Sequence, residues 1–254
     1  MRQGMDNVAY IALSQQAVLQ RRMNLVANNL ANLDTAGFKS EQLLVDTAPG
    51  APAHNDGIKG PALFVIDGGI SRDFSQGEIS ITGRPLDVAI NGDAMFKVQT
   101  PSGERYTRDG RFSVNERGQL VTSSGAQVLD TGGSPITLDP KNGDPSISAD
   151  GVVSQSSPQG TSVQLGQIGL VRFDALGVLS KEGDGLYANS SNATPQAVHD
   201  VRMQQAALEG SNVKPIVEIT NLIEVQRAYE RTAQLIQQSN DLSQTSIDRL
   251  AKVS

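Results

Sequence analysis

Apolar residues recur along the first 33 positions with a helical step. Starting at Met5 and alternating steps of four and three, the series runs Met5, Ala9, Ala12, Gln16, Leu19, Met23, Val26, Leu30 and Leu33. Eight of these nine are apolar, the repeat of a helix that buries one narrow seam. No glycine or proline interrupts residues 5–33, so the pattern predicts one long helix. A second stretch, 215–252, also lacks glycine. It carries Ile219, Leu222, Gln226, Tyr229, Ala233, Ile236, Asn240, Ser243, Ile247 and Leu250 on one seam, seven of the ten apolar. Its single proline, Pro215, stands in the first turn, where no intrahelical N–H bond is lost.

An amphipathic helix lying on a globular body would show a similar stripe. The other faces argue for closer company. From Asn7 to Gln20 there is no charged residue, and Gln15, Gln16, Gln20, Asn24, Asn28, Asn29 and Asn32 supply the polarity. Charge also disappears from Thr232 to Asn240. A solvated face normally carries Lys, Glu and Arg, whereas amides suit packing among helices, where each finds a hydrogen-bond partner. Two such helices alone are marginal, because ordering them offsets most of what a narrow seam buries. The expectation is a coiled-coil-like pair that gains further contacts from neighbouring subunits.

The middle of the chain has a different texture. Residues 86–190 are dense in glycine, serine, threonine and valine. Turn signals recur as PSGE at 101–104, NERG at 115–118, SSGA at 123–126 and TGGS at 131–134. Between them lie AMFKVQ, RFSV, QLVT and QVL, which predict short antiparallel strands. Residues 37–85 read as an extended linker, with LFVI at 63–66 and EISI at 78–81 apolar enough to form edge strands. The predicted class is therefore α+β. Its expected parts are an N-terminal assembly helix (1–36), a linker domain (37–85), a β-rich outer domain (86–190), a return linker (191–214) and a C-terminal assembly helix (215–254).

Composition narrows the function. The 254 residues include 27 acids and 21 bases, a net charge of −6 without long basic runs, which argues against nucleic acid. There is no cysteine, so disulfides, thiolate metal sites and thiol catalysis are excluded. No apolar run approaches the roughly 18 residues of a membrane span, so no direct membrane insertion is expected. The N-terminus lacks signal-peptide features, so any export needs another route.

Motifs of catalysis are missing as well. No Gly-x-Ser-x-Gly elbow, phosphate loop or His-Glu-x-x-His pattern occurs. Asp139 to Asp150 has the length of a calcium loop, but Lys141 and Asp144 occupy positions that need a ligand and a glycine. His54 and His199 read as ordinary surface histidines. Asn189 and Asn192 open glycosylation-like triplets of a kind that arises by chance. A carbohydrate-binding or hydrolytic domain would want an aromatic platform, and Phe96, Tyr106, Phe112, Phe173 and Tyr187 read as core instead. The expectation is a non-enzyme without cofactor or metal.

Three segments carry a family resemblance. VANNLANLDTAGFKSE at 26–41 resembles the N-terminal signature of flagellar rod and hook proteins, and LEGSNVKPIVEITNLIEVQRAYERTAQLI at 208–236 resembles their C-terminal signature. PLDVAINGDAMFKVQTPSGERYTRDGRFSVNERGQLVTSSGAQVL at 85–129 is similar to the family's central region, with Ala94 where the family often has glycine. The opening residues resemble proximal-rod members more than distal-rod ones. The resemblance implies that the terminal helices form an inner tube, with the linker domain around it and the β-rich domain outside. It implies export through the flagellum-specific type III apparatus and a place in the rod that spans the periplasm. Its partners would be copies of itself and other rod subunits. The expected assembly interface is then Met5, Ala9, Ala12, Leu19, Met23, Val26, Leu30, Leu33, Ile219, Leu222, Tyr229, Ala233, Ile236, Ile247 and Leu250. Gln234, Gln237, Gln238 and Asn240 are candidate channel lining, or else a face packed on a neighbour.

Overall fold

The structure, a computed structural model, describes residues 2–48, 64–158, 160–191, 193–198 and 200–251. His54, Asn192 and His199 lie outside them, as do the side chains of Met5, Ala9, Ile247 and Leu250. The chain divides into two compact units. One contains residues 1–31, 41–71 and 214–254; the other contains 32–40 and 72–213.

The first unit holds two helices, α1 (Arg2–Ala31) and α2 (Pro215–Ala251), which pack side by side. Pro215 opens α2 and Glu218 places a carboxylate in its first turn, where the helix dipole favours negative charge. A two-stranded sheet of Glu41–Ala48 and Phe64–Arg72 lies in the chain between the helices.

The second unit is β-rich. Its largest sheet is antiparallel and runs, in spatial order, Leu179–Lys181, Leu186–Asn189, Gly103–Thr107, Met95–Thr100, Gln127–Val128, Leu120–Thr122 and Phe112–Val114. Each turn signal closes a hairpin or loop; the amides of Gly118, Gly125 and Gly133 bond back to Asn115, Thr122 and Asp130. Met95–Thr100 serves two cores, because successive side chains point to opposite faces. Phe96 and Val98 join Val88, Phe112, Leu120 and Val128 on one side; Met95 joins Tyr106, Phe173 and Tyr187 on the other. The rings of Phe96 and Phe112 meet edge to face at 5.0 Å, and those of Tyr106 and Phe173 at 4.8 Å. Ala94 is fully buried, and its carbonyl accepts from Arg108 Nη1 at 2.5 Å.

This unit extends beyond 86–190. The returning strands Arg202–Gln205 and Ala207–Glu209 pair antiparallel with Val88–Asn91 and Ile79–Ile81. Residues 32–40 join them. The Gly37 amide bonds to the Glu209 carbonyl at 2.8 Å, and the Ser40 amide to Asn212 Oδ1 at 2.8 Å. Gly37 adopts a φ of +67°, and a Cβ there would lie 2.4 Å from the Arg108 carbonyl carbon, so only glycine fits.

Three charges are sealed in at this closure. Lys39, Arg108 and Glu209 have side chains no more than 3% exposed. Lys39 Nζ donates to Glu209 Oε1 at 2.5 Å and to the Ser75 carbonyl at 2.6 Å. Arg108 Nε lies 3.0 Å from Glu209 Oε2, an ion pair without the alignment of a hydrogen bond. Burial pulls both cations below their ordinary pKa values, and the Glu209 charge opposes that pull.

Two predictions follow from these contacts. Glu209→Gln leaves Lys39 and Arg108 buried together without a counter-charge. The β-rich unit should lose about 3–5 kcal/mol in denaturant titration, and a loss below about 1 kcal/mol would contradict the cluster's role. The other concerns alkaline pH. Burial first, and then the Glu104 carboxylate that accepts its hydroxyl at 2.7 Å, hold the Tyr106 phenol above its ordinary value of 10.0. Above about pH 10 the unfolded chain releases this proton while the folded one keeps it, so stability falls as pH rises. Lys39, shifted downward, pushes the other way, but equally in both proteins of the comparison. The thermal midpoint should therefore fall more between pH 9 and pH 11 in the native protein than in Tyr106→Phe. Parallel curves would refute the assignment.

Candidate assembly surfaces

The helix unit contains every described residue of the expected interface except Leu33, which belongs to the β-rich unit. On α1, Ala12 and Val26 are buried, while Leu19, Met23 and Leu30 are half-buried. Leu19 and Arg22 line a groove with Val225, Ala228 and Arg231, and Leu25 and Val26 line another with Glu218 and Asn221. Numbering rises along α1 as it falls along α2, so the helices run antiparallel.

On α2 the inward stripe differs from the expected one. Glu218, Leu222, Val225, Tyr229, Thr232, Ile236 and Ser239 are buried or half-buried. The expected seam shares Leu222, Tyr229 and Ile236 with it. Ile219 is 45% exposed, however, and Gln226 and Asn240 are exposed. The alternate positions lie one residue earlier. Counting apolar residues favoured Ile219 over Glu218 and Ala233, half-buried, over Thr232. Thr232 can be buried because its hydroxyl bonds to the Ala228 carbonyl at 3.0 Å, leaving its methyl to pack.

One amide of α1 has a specific task. Asn29 is 1% exposed. Its Nδ2 donates to the Glu41 carbonyl at 2.9 Å, and its Oδ1 accepts from the Glu41 amide at 3.0 Å. The side chain thus pairs with the strand edge as another strand would. By contrast, Gln234, Gln237, Gln238 and Asn240 are all exposed, and Gln237 donates to Asp241 at 3.3 Å.

Apolar surface is also left open. Leu13 on α1 is 57% exposed; on α2, Ile216 is 81% and Leu242 63% exposed, with Val217, Ile219, Ile223 and Leu235 also exposed. Among the described residues no group of three or more His, Cys, Asp or Glu could hold a metal, and no helix is long and apolar enough to cross a membrane. Asp139 accepts from the Lys141 amide in an ordinary turn.

Comparison with known proteins matches three parts of the chain. Residues 7–39 match the family described as flagella basal body rod protein. Residues 89–155 match the flagellar hook protein FlgE/F/G D1 domain, and 204–249 the C-terminal region of flagellar basal body rod FlgEFG proteins. Each matched segment holds one member of the ion cluster: Lys39, Arg108 and Glu209. Nothing in the sequence links these charges, since Lys39 and Glu209 are 170 residues apart. The flagellar basal-body rod protein FlgF of Caulobacter vibrioides is 48% identical over 98% of this chain and its own whole length. FlgF of Mesorhizobium japonicum is 39% identical over 98% of the chain and its own whole length. FlgG of Caulobacter vibrioides is 35% identical over 92% of the chain and 96% of its own. Similarity of this depth along the full length shows that the chain belongs to the flagellar basal-body rod protein family.

Proposed function

We propose that the chain is a structural, non-catalytic subunit of the flagellar rod in the basal body, on the proximal side. It builds into a hollow shaft through its terminal helices, transmits torque and leaves a passage for export substrates. The observation that carries this reading is the full-length 48% identity to a protein named FlgF. The distal-rod alternative is less favoured, since the FlgG relative from the same organism is 35% identical. A sugar-binding reading has no support, because Phe96, Tyr106, Phe112, Phe173 and Tyr187 are all buried.

The exposed apolar residues of α1 and α2 support assembly through this unit, since such surface on a helix pair favours cover by another chain. Within the polymer, α1 and α2 would pack coiled-coil fashion with helices of copies of this chain and of other rod subunits. Residues 1–36 and 215–254 would be the assembly segments, 37–85 and 191–214 the linkers, and 86–190 the outer region. Interlocked helices resist twist because shear would lift side chains from close-packed positions. The uncharged amides Gln234, Gln237, Gln238 and Asn240 would offer passing chains no strong charge to adhere to. Delivery through the flagellar type III apparatus belongs to the same reading.

Seam substitutions test it. Leu30→Asp and Leu222→Asp each place a carboxylate where assembly would bury it, at several kcal/mol per subunit. Both variants should be missing from isolated basal bodies, with motility lost, while the thermal transition of the β-rich unit persists. Normal motility in either variant would remove the helices from the assembly interface.

A further inference from the structure

The chain contains the dipeptide Asn-Gly twice, at Asn91–Gly92 and at Asn142–Gly143, each followed by an aspartate. Asparagine before glycine is prone to lose its side-chain amide, because glycine has no Cβ to obstruct attack by its own nitrogen. In that reaction the glycine nitrogen gives its proton to a base and bonds to the asparagine Cγ. The bond from Cγ to the side-chain nitrogen breaks, and ammonia leaves with the proton. Water then opens the resulting succinimide at either carbonyl, which leaves aspartate or isoaspartate in the chain. Both sites share one local sequence, so the fold decides how they differ.

At position 92 the fold itself demands glycine. Gly92 has a φ of +132°, and a Cβ there would lie 3.2 Å from Val201 Cγ2. Asn91 ends the strand Val88–Asn91 and is exposed, and its side chain has no hydrogen-bond partner among the described residues. The reactive amide is therefore open to water, beside a glycine that cannot be exchanged without strain. The nitrogen that would attack it is engaged. The Gly92 amide donates to Gln76 Oε1 at 3.2 Å, and Gln76 Nε2 donates to the Ile90 carbonyl at 3.1 Å. One side-chain amide thus holds the main chain on both sides of Asn91. Arg108 Nη2 donates to the Gly92 carbonyl at 2.7 Å and fixes the next peptide. The second site is held differently. The Gly143 amide donates to the main-chain carbonyl of Ser156 at 3.1 Å, and the Gly143 carbonyl accepts from Gln155 Nε2 at 3.0 Å.

We propose that Asn91 is a modification site, convertible to aspartate or isoaspartate, and that Gln76 is the positioning residue that holds the conversion back. A carboxamide oxygen is too weak a base to take the Gly92 proton, so the bonded amide is a poorer nucleophile than a free one. The clamp also keeps the Gly92 nitrogen from turning toward Asn91 Cγ. Failure at this place is costly. Isoaspartate routes the main chain through the side-chain carbon, which would break the register of Val88–Asn91 against Arg202–Gln205. That pairing carries the returning chain toward Glu209.

The test holds the full-length native chain and two variants at mildly alkaline pH, where the glycine nitrogen loses its proton more readily. Peptides containing residues 91 and 142 are then followed by mass spectrometry. In Gln76→Ala, Asn91 should lose its amide at least fivefold faster than in the native chain. Asn142 should keep its native rate, because its glycine is held by the main chain. Gln76→Glu keeps an acceptor oxygen for the Gly92 amide and should stay close to the native rate at Asn91. A native rate at Asn91 in Gln76→Ala would overturn the proposal, and so would an equal rise in Gln76→Glu. A parallel rise at Asn142 would also overturn it, since that outcome marks a general loosening of the fold.

Discussion

The Lys39–Glu209–Arg108 cluster is the contact on which the β-rich unit closes. Lys39 follows the first helix, Arg108 lies at the end of a central strand, and Glu209 ends the returning chain. Their side chains meet where water is excluded, so each needs the others. Backbone bonds reinforce the same junction: Gly37 to the Glu209 carbonyl, and Asn212 to both Ser40 and the Asp73 carbonyl. Phe38 is buried beside them with Lys181 Nζ 4.2 Å from its ring centre. A small residue at 37 and an amide at 212 are therefore parts of one closure, not independent turn signals.

That closure explains why the β-rich unit reaches well outside the glycine-dense middle. Strand texture ends near position 190, and the following residues carry no long apolar run. They are nevertheless held in place, because Arg202–Glu209 pairs with two strands of the outgoing chain. The turn at Ala206, with φ 59°, separates the two pairings, and its carbonyl accepts from the amides of Thr82 and Gly83. Backbone hydrogen bonds, rather than side-chain hydrophobicity, set this boundary.

What could be read from sequence follows the range of each interaction. Helix periodicity and turn chemistry are local, so α1, α2 and the hairpins around NERG and SSGA were legible. The phase of α2 was less so. A seam position can be filled by Thr232, which bonds to its own helix, or by Glu218, whose burial no apolar count would suggest. The ion cluster was illegible, because three isolated charges spread over 170 residues leave no periodic trace. The family segments contain all three, yet only the fold shows that they touch.

The two units differ in how much apolar surface their helices and strands leave open. In the β-rich unit the clustered charges answer one another within the chain, and the large aromatic rings are inside. In the helix unit, Leu13, Ile216 and Leu242 stand exposed, whereas buried polar atoms without a hydrogen-bond partner occur in both units: Glu218 Oε2 here, and Asp87 Oδ1 and Oδ2, Arg172 Nε and Glu209 Oε2 in the β-rich unit. Exposed apolar surface along a helix pair is the feature that favours cover by another chain. Every described strand pairing of the β-rich unit lies upstream of Pro215, so the sheets of that unit are complete without α2.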